Sequence, residues 1–255
     1  VLDGKITLVT GGAGDLGNEM ALQLAQAGAS VVIWDIKSEA DARPRIERVK
    51  IAGNPVHYAQ VDIRDRSAVE AATDDILSRF GSLDIVCANA GIVDSAPFLE
   101  ISPEKWQRHI DINLTGSFNV GQVAAQRMVA RKIKGRIIFT SSWVADIPWP
   151  EITPYTVSKA GVNMLMKQMA RELAVYGIRV NAVAPGIVKA GLAGRQLVEE
   201  PLYAARVSKV IPLGDPGTPV EIAQAVVYLA SPQTSYMTGT VLLIDGGCSL
   251  FQFDQ

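Results

Sequence analysis

Three observations predict an α/β fold built on one doubly wound, seven-stranded parallel sheet flanked by helices. Short runs of Val, Ile and Leu alternate with longer segments of helical period from one end of the chain to the other. Each is a near-continuous run of Val, Ile and Leu, as expected for parallel strands buried on both faces. Six strand–helix alternations are followed by a seventh strand, the rhythm of a parallel sheet with crossover helices.

In chain order the strands are read as Ile6–Thr10, Ser30–Asp35, Val56–Val61, Leu83–Ala88, Arg136–Ser141, Ile178–Val183 and Val241–Asp245. Helices are predicted between them, over roughly 16–28, 38–52, 66–80, 103–131, 156–176 and 219–230. The third helix carries the clearest boundary signals, with Ser67 as N-cap, Glu70 three residues on, and Gly81 just past the end. One segment departs from the rhythm. From Pro185 to Thr218 about 30 residues run without a strand, with Gly186, Gly191, Gly194, Pro201, Pro212, Pro216 and Gly217 spread along them. A long irregular insert after a strand's C-terminal end is where a compact α/β fold places a lid or binding loop. The expectation is one domain over residues 1–255, with a lid over about 187–217.

Composition narrows the function. The 255 residues are 48% hydrophobic and 20% charged, enough for a full core without a disulfide or metal staple. A formal net charge of −2 gives no basic footprint for nucleic acid. Cys87 and Cys248 are too few for a disulfide framework, and no Cys-x-x-Cys or His/Cys cluster points to zinc. No metal is expected, and a reducing, cytoplasmic setting is. The longest stretch free of Asp, Glu, Lys and Arg, Ile222 to Ile244, contains Ser231-Pro232-Gln233-Thr234-Ser235 and is too polar to span a bilayer. A strand-like run from Lys5 leads to the expectation that no signal peptide precedes the fold.

Thr10-Gly11-Gly12-Ala13-Gly14-Asp15-Leu16-Gly17 joins the first strand to the first helix. Glycines let the backbone turn sharply and approach a pyrophosphate, whose charge is met by the helix N-terminus. Such a turn also occurs for purely steric reasons; its place between strand and helix is what points to a dinucleotide in a Rossmann-type site. The second strand ends at Asp35, 18 residues beyond Gly17. A carboxylate there accepts hydrogen bonds from the adenosine ribose and repels a 2′-phosphate. The turn has no Arg or Lys to welcome that phosphate, although Lys37 lies close by. NAD is therefore expected in preference to NADP. The other reading of Asp35 is a turn or capping aspartate.

Ser141-Ser142 closes the fifth strand, and Tyr155-Thr156-Val157-Ser158-Lys159 follows. Tyr155 and Lys159 are four apart and share one helix face. A free phenol, with a pKa of about 10, is a poor proton carrier at neutral pH; a nearby ammonium is expected to lower it. Ser142 can hold a substrate oxygen against Tyr155. Of the six tyrosines only Tyr155 has a lysine four residues later.

Together these residues resemble the short-chain dehydrogenase/reductase family, in its classical branch. The resemblance covers essentially the whole chain, from the glycine turn to Asp245-Gly246-Gly247. Asn89-Ala90-Gly91 looks like the family's Asn-Ala-Gly motif. Asp62 and Ile63 match its adenine-contacting position, and Asn113 matches the asparagine of its Asn-Ser-Tyr-Lys tetrad. Ser142 precedes Tyr155 by 13 residues, the family's usual spacing. Asn181-Ala182-Val183-Ala184-Pro185-Gly186 looks like the segment that faces the nicotinamide. The resemblance implies Asn113, Ser142, Tyr155 and Lys159 as the catalytic set. Tyr155 would exchange a proton with the alcohol or carbonyl, Lys159 would hold the nicotinamide ribose, and the Asn113 backbone would support a relay water. It implies cofactor contacts from Gly11, Gly14, Asp15, Leu16, Gly17, Asp35, Ile36, Asp62, Ile63, Asn89, Ala90, Gly91, Tyr155, Lys159, Pro185, Gly186 and Val188.

Two positions depart from the family pattern. Asp15 stands where the classical branch usually has the middle glycine, placing an acid close to the expected phosphate. Gly11, Gly14 and Gly17 instead have the spacing of the extended branch, yet only eight residues follow Gly247, too few for that branch's further domain. Ala190 stands where the family commonly has a threonine that bonds the carboxamide, so Val188 and its neighbours would orient the ring through backbone groups.

The substrate pocket is expected among Ser142–Glu151, the segment after Gly91, and the insert from Ile187 to Pro212. Ser142, Trp143, Trp149 and Tyr155 are its predicted walls, with Pro148 and Pro150 stiffening the loop. The aromatic residues also suit plain packing of the loop. Glu151, Asp94 and Gln196 offer polar contacts without a basic cluster, so a neutral polyol, sugar or cyclic ketone is the preferred class. A homotetramer built on the two long helices is implied by the resemblance, and Phe251 and Phe253 are expected to dock on another subunit. The rivals are a 3-oxoacyl-carrier-protein reductase-like enzyme, against which Asp35 counts, and a non-catalytic NAD-sensing protein, which would have no need of Tyr155 and Lys159 together. Hydrolase readings fail, because no Gly-x-Ser-x-Gly elbow exists and His57 and His109 are the only histidines.

Overall fold

The computed structural model describes residues 1–250. The strands are β1 (Ile6–Thr10), β2 (Ser30–Asp35), β3 (Val56–Gln60), β4 (Ile85–Ala88), β5 (Arg136–Thr140), β6 (Arg179–Pro185) and β7 (Val241–Ile244). They form one sheet in the order β3-β2-β1-β4-β5-β6-β7, with every neighbouring pair parallel. The order reverses between β1 and β4, so the chain parts at the C-terminal ends of these two strands and leaves a crevice there.

The helices are α1 (Asp15–Gln26), α2 (Glu39–Lys50), α3 (Arg66–Phe80), α4 (Pro103–His109), α5 (Gly116–Ala130), α6 (Thr153–Leu173), α7 (Gly191–Glu199), α8 (Pro201–Val210) and α9 (Pro219–Ala230). Successive strand residues face opposite sides. Leu8, Val32, Trp34 and Val86 pack with Val69 and Ile76 of α3, Val123 and Met128 of α5, and Val162 and Met166 of α6. Val9, Val31, Ile33 and Ile85 pack with Met20 and Leu24 of α1 and with Ile222 and Val226 of α9. These two apolar layers hold the sheet rigid beneath the crevice.

Several boundaries differ from the sequence reading, each for a local reason. Asp65, not Ser67, caps α3: its carboxylate accepts from the Ser67 and Ala68 amides at 2.9 and 3.1 Å, and the Ser67 hydroxyl itself donates to it at 2.7 Å. A carboxylate also suits the positive end of the helix better than a hydroxyl does. Gly81 closes that helix in the left-handed conformation, at φ 77°. The predicted helix 103–131 is interrupted between α4 and α5 by a wide π turn over Ile110–Thr115. The predicted helix 156–176 starts earlier, at Thr153 with Pro154 in its first turn, and tightens to a 3₁₀ turn over Ala174–Tyr176. The insert after β6 is not irregular; it carries α7 and α8 around a small core of Trp143, Ile187, Val207, Val210, Ile211 and Cys248. Its glycines and prolines mark the ends of two short helices rather than a continuous loop. The aromatic tail predicted to dock on another subunit lies outside the described residues.

Candidate active site

The floor of the crevice is the glycine turn after β1. A side chain on Gly11 (φ 65°) would bring a Cβ to 2.9 Å from the Ala90 Cα, and one on Gly17 to 2.2 Å from the Gly11 carbonyl oxygen. Only glycine fits, because the turn packs directly on the segment after β4. That segment is fastened by Thr10: its hydroxyl accepts from the Asn89 and Ala90 amides, each at 3.0 Å, and its carbonyl accepts from Asn89 Nδ2 at 3.0 Å. Thr140 donates to Asn89 Oδ1 at 3.1 Å, tying in β5. Gly14 gives α1 no side-chain cap, so its first amides can serve an anion.

Asp35, at the end of β2, is 9% exposed. Its carboxylate accepts from the Ala13 amide at 3.0 Å and the Lys37 amide at 3.2 Å. A negative charge is thereby fixed against the glycine turn. Further along, Asp62 is paired side-on with Arg64, whose Nη2 lies 2.6 Å away. A cleft of about 620 Å³ runs along this edge, and all the residues predicted to contact a cofactor line it, from Gly11 and Asp35 to Pro185, Gly186 and Val188. A long cleft, an uncapped helix start and a fixed carboxylate beside the glycine turn fit a dinucleotide.

α6 projects Tyr155 and Lys159 into the other end of the cleft. Lys159 is 3% exposed, and its Nζ donates to the Thr140 carbonyl at 2.7 Å. It sits 5.5 Å from the centroid of the Tyr155 ring. Tyr155 is partly exposed where the cleft meets the loop after β5, with Ser142 beside it. Here the expectation of a lowered phenol pKa is overturned. Burial pushes the Tyr155 phenol up, and Ser142 offsets only part of that. Burial also pushes Lys159 down, to about 8. The Lys159 ammonium is engaged by the Thr140 carbonyl. At neutral pH the protein itself thus presents a phenol beside a still-charged lysine.

Asn113 does not line the cleft. It sits inside the π turn, where its Oδ1 accepts from the Ile92 amide at 2.8 Å and its Nδ2 donates to the Ile92 carbonyl at 2.9 Å and to Ser158 Oγ at 3.0 Å. Its own carbonyl accepts from Ser117 Oγ at 2.7 Å. The side chain therefore fixes the segment just after Gly91 to the start of α6.

A second recess of about 330 Å³ meets the first at Ser142 and Tyr155. Trp143 and Trp149 form one wall edge-on, with ring centroids 5.4 Å apart. Ile152, Ile187, Leu192 and Tyr203 complete the apolar lining. The guanidinium of Arg206 lies 4.0 Å from the centroid of the Trp149 ring. Glu151 stands on the rim in the left-handed conformation (φ 67°), its carbonyl accepting from the Ala96 amide at 2.7 Å. Gln196 lines the recess as predicted, but Asp94 is outside it, drawn instead to Arg108 at 2.8 Å. Leu192, Tyr203 and Arg206 fall within the insert expected to bound the pocket but were not singled out by the sequence; the helical spacing of Tyr203, Val207 and Val210 was the signal available for them.

The family model described as enoyl-(acyl carrier protein) reductase matches residues 11–249. 3β-Hydroxysteroid dehydrogenase 1 of Eggerthella lenta is 40% identical, over 100% of this chain and 98% of its own. The chain belongs to the classical short-chain dehydrogenase/reductase family. A 3-oxoacyl-(acyl-carrier-protein) reductase of Thermotoga maritima is 37% identical over 96% of this chain and 98% of its own. The solved structure of an NAD⁺-bound xylitol dehydrogenase is 29% identical with a TM-score of 0.91, covering 96% of this chain and 99% of that one. As a short-chain dehydrogenase/reductase the chain is an oxidoreductase of a family that uses nicotinamide cofactors. Among the described residues no helix is long and apolar enough to cross a membrane, and no cluster of His, Cys, Asp and Glu is arranged to hold a metal ion.

The two departures from the short-chain dehydrogenase/reductase pattern lie against each other. Asp15 accepts from Arg45 Nη2 at 2.6 Å with one oxygen and from the Gly191 amide at 3.1 Å with the other. Ala190 is the N-cap residue of α7 and brings no side-chain cap of its own. The acid in the phosphate-facing turn is thus paired rather than free.

Proposed function

We propose that this protein interconverts a secondary alcohol and its ketone, with NAD preferred over NADP and Tyr155 as the acid–base group. The meeting of the dinucleotide cleft and the aromatic recess at Ser142 and Tyr155 carries the reading. A nicotinamide bound in the cleft supplies or accepts the hydride. Tyr155 Oη gives its proton to the carbonyl oxygen in reduction and takes it back in oxidation. Ser142, which lines the same junction, orients the same oxygen. Lys159 places a positive charge beneath the phenol and faces the ribose, while Asn113 positions Gly91 and α6 through Ile92 and Ser158. Asp35 refuses a 2′-phosphate by charge. The insert over about 187–217 acts as a lid on a single domain, and the enzyme works as a cytoplasmic homotetramer.

Within the class of polyols, sugars and cyclic alcohols, the recess favours the cyclic member. Two indoles beside Ile152, Ile187 and Leu192 offer flat apolar faces for a ring, while Glu151, Gln196, Glu200 and Arg206 meet its polar substituents. The relative named as a hydroxysteroid dehydrogenase supports a ring substrate. Oxidation of cyclic alcohols, hydroxysteroids, polyols and sugars, followed by NADH formation, is the test. Turnover on cyclic alcohols at least tenfold above polyols is expected; a preference for polyols refutes the ring assignment. A second reading, reduction of a carrier-bound 3-oxoacyl group, is favoured by the Thermotoga relative and by Arg206, which has no acidic partner among the described residues. NADPH-dependent turnover of an acetoacetyl thioester in preference to cyclic ketones decides for it.

A further inference from the structure

We propose that Asp15 is a clasp: its carboxylate locks the first hinge of the insert to the phosphate-facing turn and so sets the rate at which the dinucleotide leaves. The identity of that ligand rests on the NAD reading above; the clasp itself does not.

The insert is built to move. Gly191 (φ 54°) opens α7, and Gly214 (φ 93°) follows α8; both are left-handed, and a Cβ at either would meet nothing within 4 Å. Its base is held by the Lys189 amide on the Gly217 carbonyl at 2.8 Å and the Gly217 amide on the Ile187 carbonyl at 2.9 Å. Beyond that base α7 has no fully buried residue. The α7 N-cap, Ala190, is extended (φ −152°, ψ 155°), the geometry in which a Ser or Thr side chain would cap the helix. Asp15 does this from outside the insert, through the amide of the hinge glycine itself. Arg45 of α2 takes the other carboxylate oxygen and keeps it aimed.

The place of this bond gives it its role. Asp15, Ala190 and Gly191 line the dinucleotide cleft and also a recess on its far side, together with Gly194 and Arg195. The bond is therefore part of the wall between the two, and swinging α7 away from the cleft parts it. The Gly191 amide, helped by Arg45, holds the Asp15 carboxyl below the usual carboxylate range, so the clasp is charged throughout neutral pH. A glycine at 15 and a threonine at 190 would cap α7 from within the insert. Moving the cap onto the phosphate-facing turn couples lid position to that turn.

The test uses Asp15→Gly, Asp15→Asn and the double variant Asp15→Gly/Ala190→Thr, each checked for native circular dichroism. Stopped-flow displacement reads NADH release, and hydrogen exchange reads the amides of 191–198 in cofactor-free protein. Asp15→Gly is expected to speed NADH release about fivefold, the factor that loss of one helix cap corresponds to, and to raise exchange across α7. Asp15→Asn, which keeps an acceptor for the Gly191 amide, should keep exchange across α7 within about twofold of wild type, and Ala190→Thr should restore slow exchange in the double variant. Unchanged exchange in Asp15→Gly overturns the clasp. So does slower release, which would mean that the acid chiefly repels the pyrophosphate. If wild type binds NADPH and not NADH, the cofactor reading fails while the exchange result still decides the clasp.

Discussion

Replacing Lys159 by Met removes a charge that folding has to desolvate. The lysine is 3% exposed, and burial brings its pKa from 10.5 to about 8. At about 1.4 kcal/mol per pH unit, that depression corresponds to about 3 kcal/mol. The sign follows from proton counting. The folded protein releases this proton near pH 8, whereas the unfolded chain keeps it to about 10.4, so between them the unfolded state carries one more proton and stability rises with pH. Between pH 7 and 9.5 wild type should gain about 2 kcal/mol relative to Lys159→Met. Other titrating groups, including the buried Cys87, are common to both proteins and cancel. The Thr140 carbonyl that loses its 2.7 Å donor shifts the variant by the same amount at both pH values. Urea unfolding of both cofactor-free proteins, at one protein concentration and at pH 7 and 9.5, measures the difference. A difference that changes by less than about 0.5 kcal/mol between the two pH values would refute a desolvated ammonium at this site.

Tyr155→Phe should lower kcat by about 10²–10⁴-fold in both directions while NADH affinity stays within about twofold, because Lys159 is held by Thr140 independently of the phenol; turnover near wild type in steady-state assays removes Tyr155 from the chemistry. Asp35→Ser should shift the ratio of kcat/KM for NADP over NAD upward by about tenfold or more, as one fixed charge beside a phosphate implies; an unchanged ratio sinks the role of Asp35. Trp149→Ala should raise KM for cyclic alcohols by about tenfold with kcat little changed, since it removes an indole wall and the surface on which Arg206 rests. A fall in kcat alone would place Trp149 in the chemistry instead.

The strands were legible because a parallel sheet covered on both faces writes itself as unbroken apolar runs; β1 and β2 match residue for residue. The cofactor edge was legible too, since its glycines, Asp35 and Asn89 sit at strand ends where spacing fixes position. What escaped was set by contacts distant in sequence. The π turn around Asn113 answers to Ile92 and Ser158, neither of which is a helix breaker within 103–131. The two helices of the insert were masked by glycines and prolines that end helices as readily as they make loops. Arg45 on Asp15 and Arg206 on Trp149 are pairings of surface-type residues that no periodicity marks. The Tyr155 pKa failed for a different reason: spacing shows a lysine beside a phenol but not the desolvation that the surrounding fold imposes on each.

The position of β1 between β2 and β4 has a consequence for how the molecule is made. Residues 6–60 provide β1, β2 and β3, yet the free edge of β1 is closed only when Thr7, Leu8 and Val9 meet Ile85, Val86 and Cys87. Until then a growing chain carries an apolar strand with unpaired backbone groups, the kind of edge that joins chains to one another. The same pairing brings Asn89 and Ala90 onto the glycine turn, so a dinucleotide finds no formed cleft on the early segment alone. Cofactor added during refolding should therefore leave early aggregation unchanged and slow only the later loss of assembled protein.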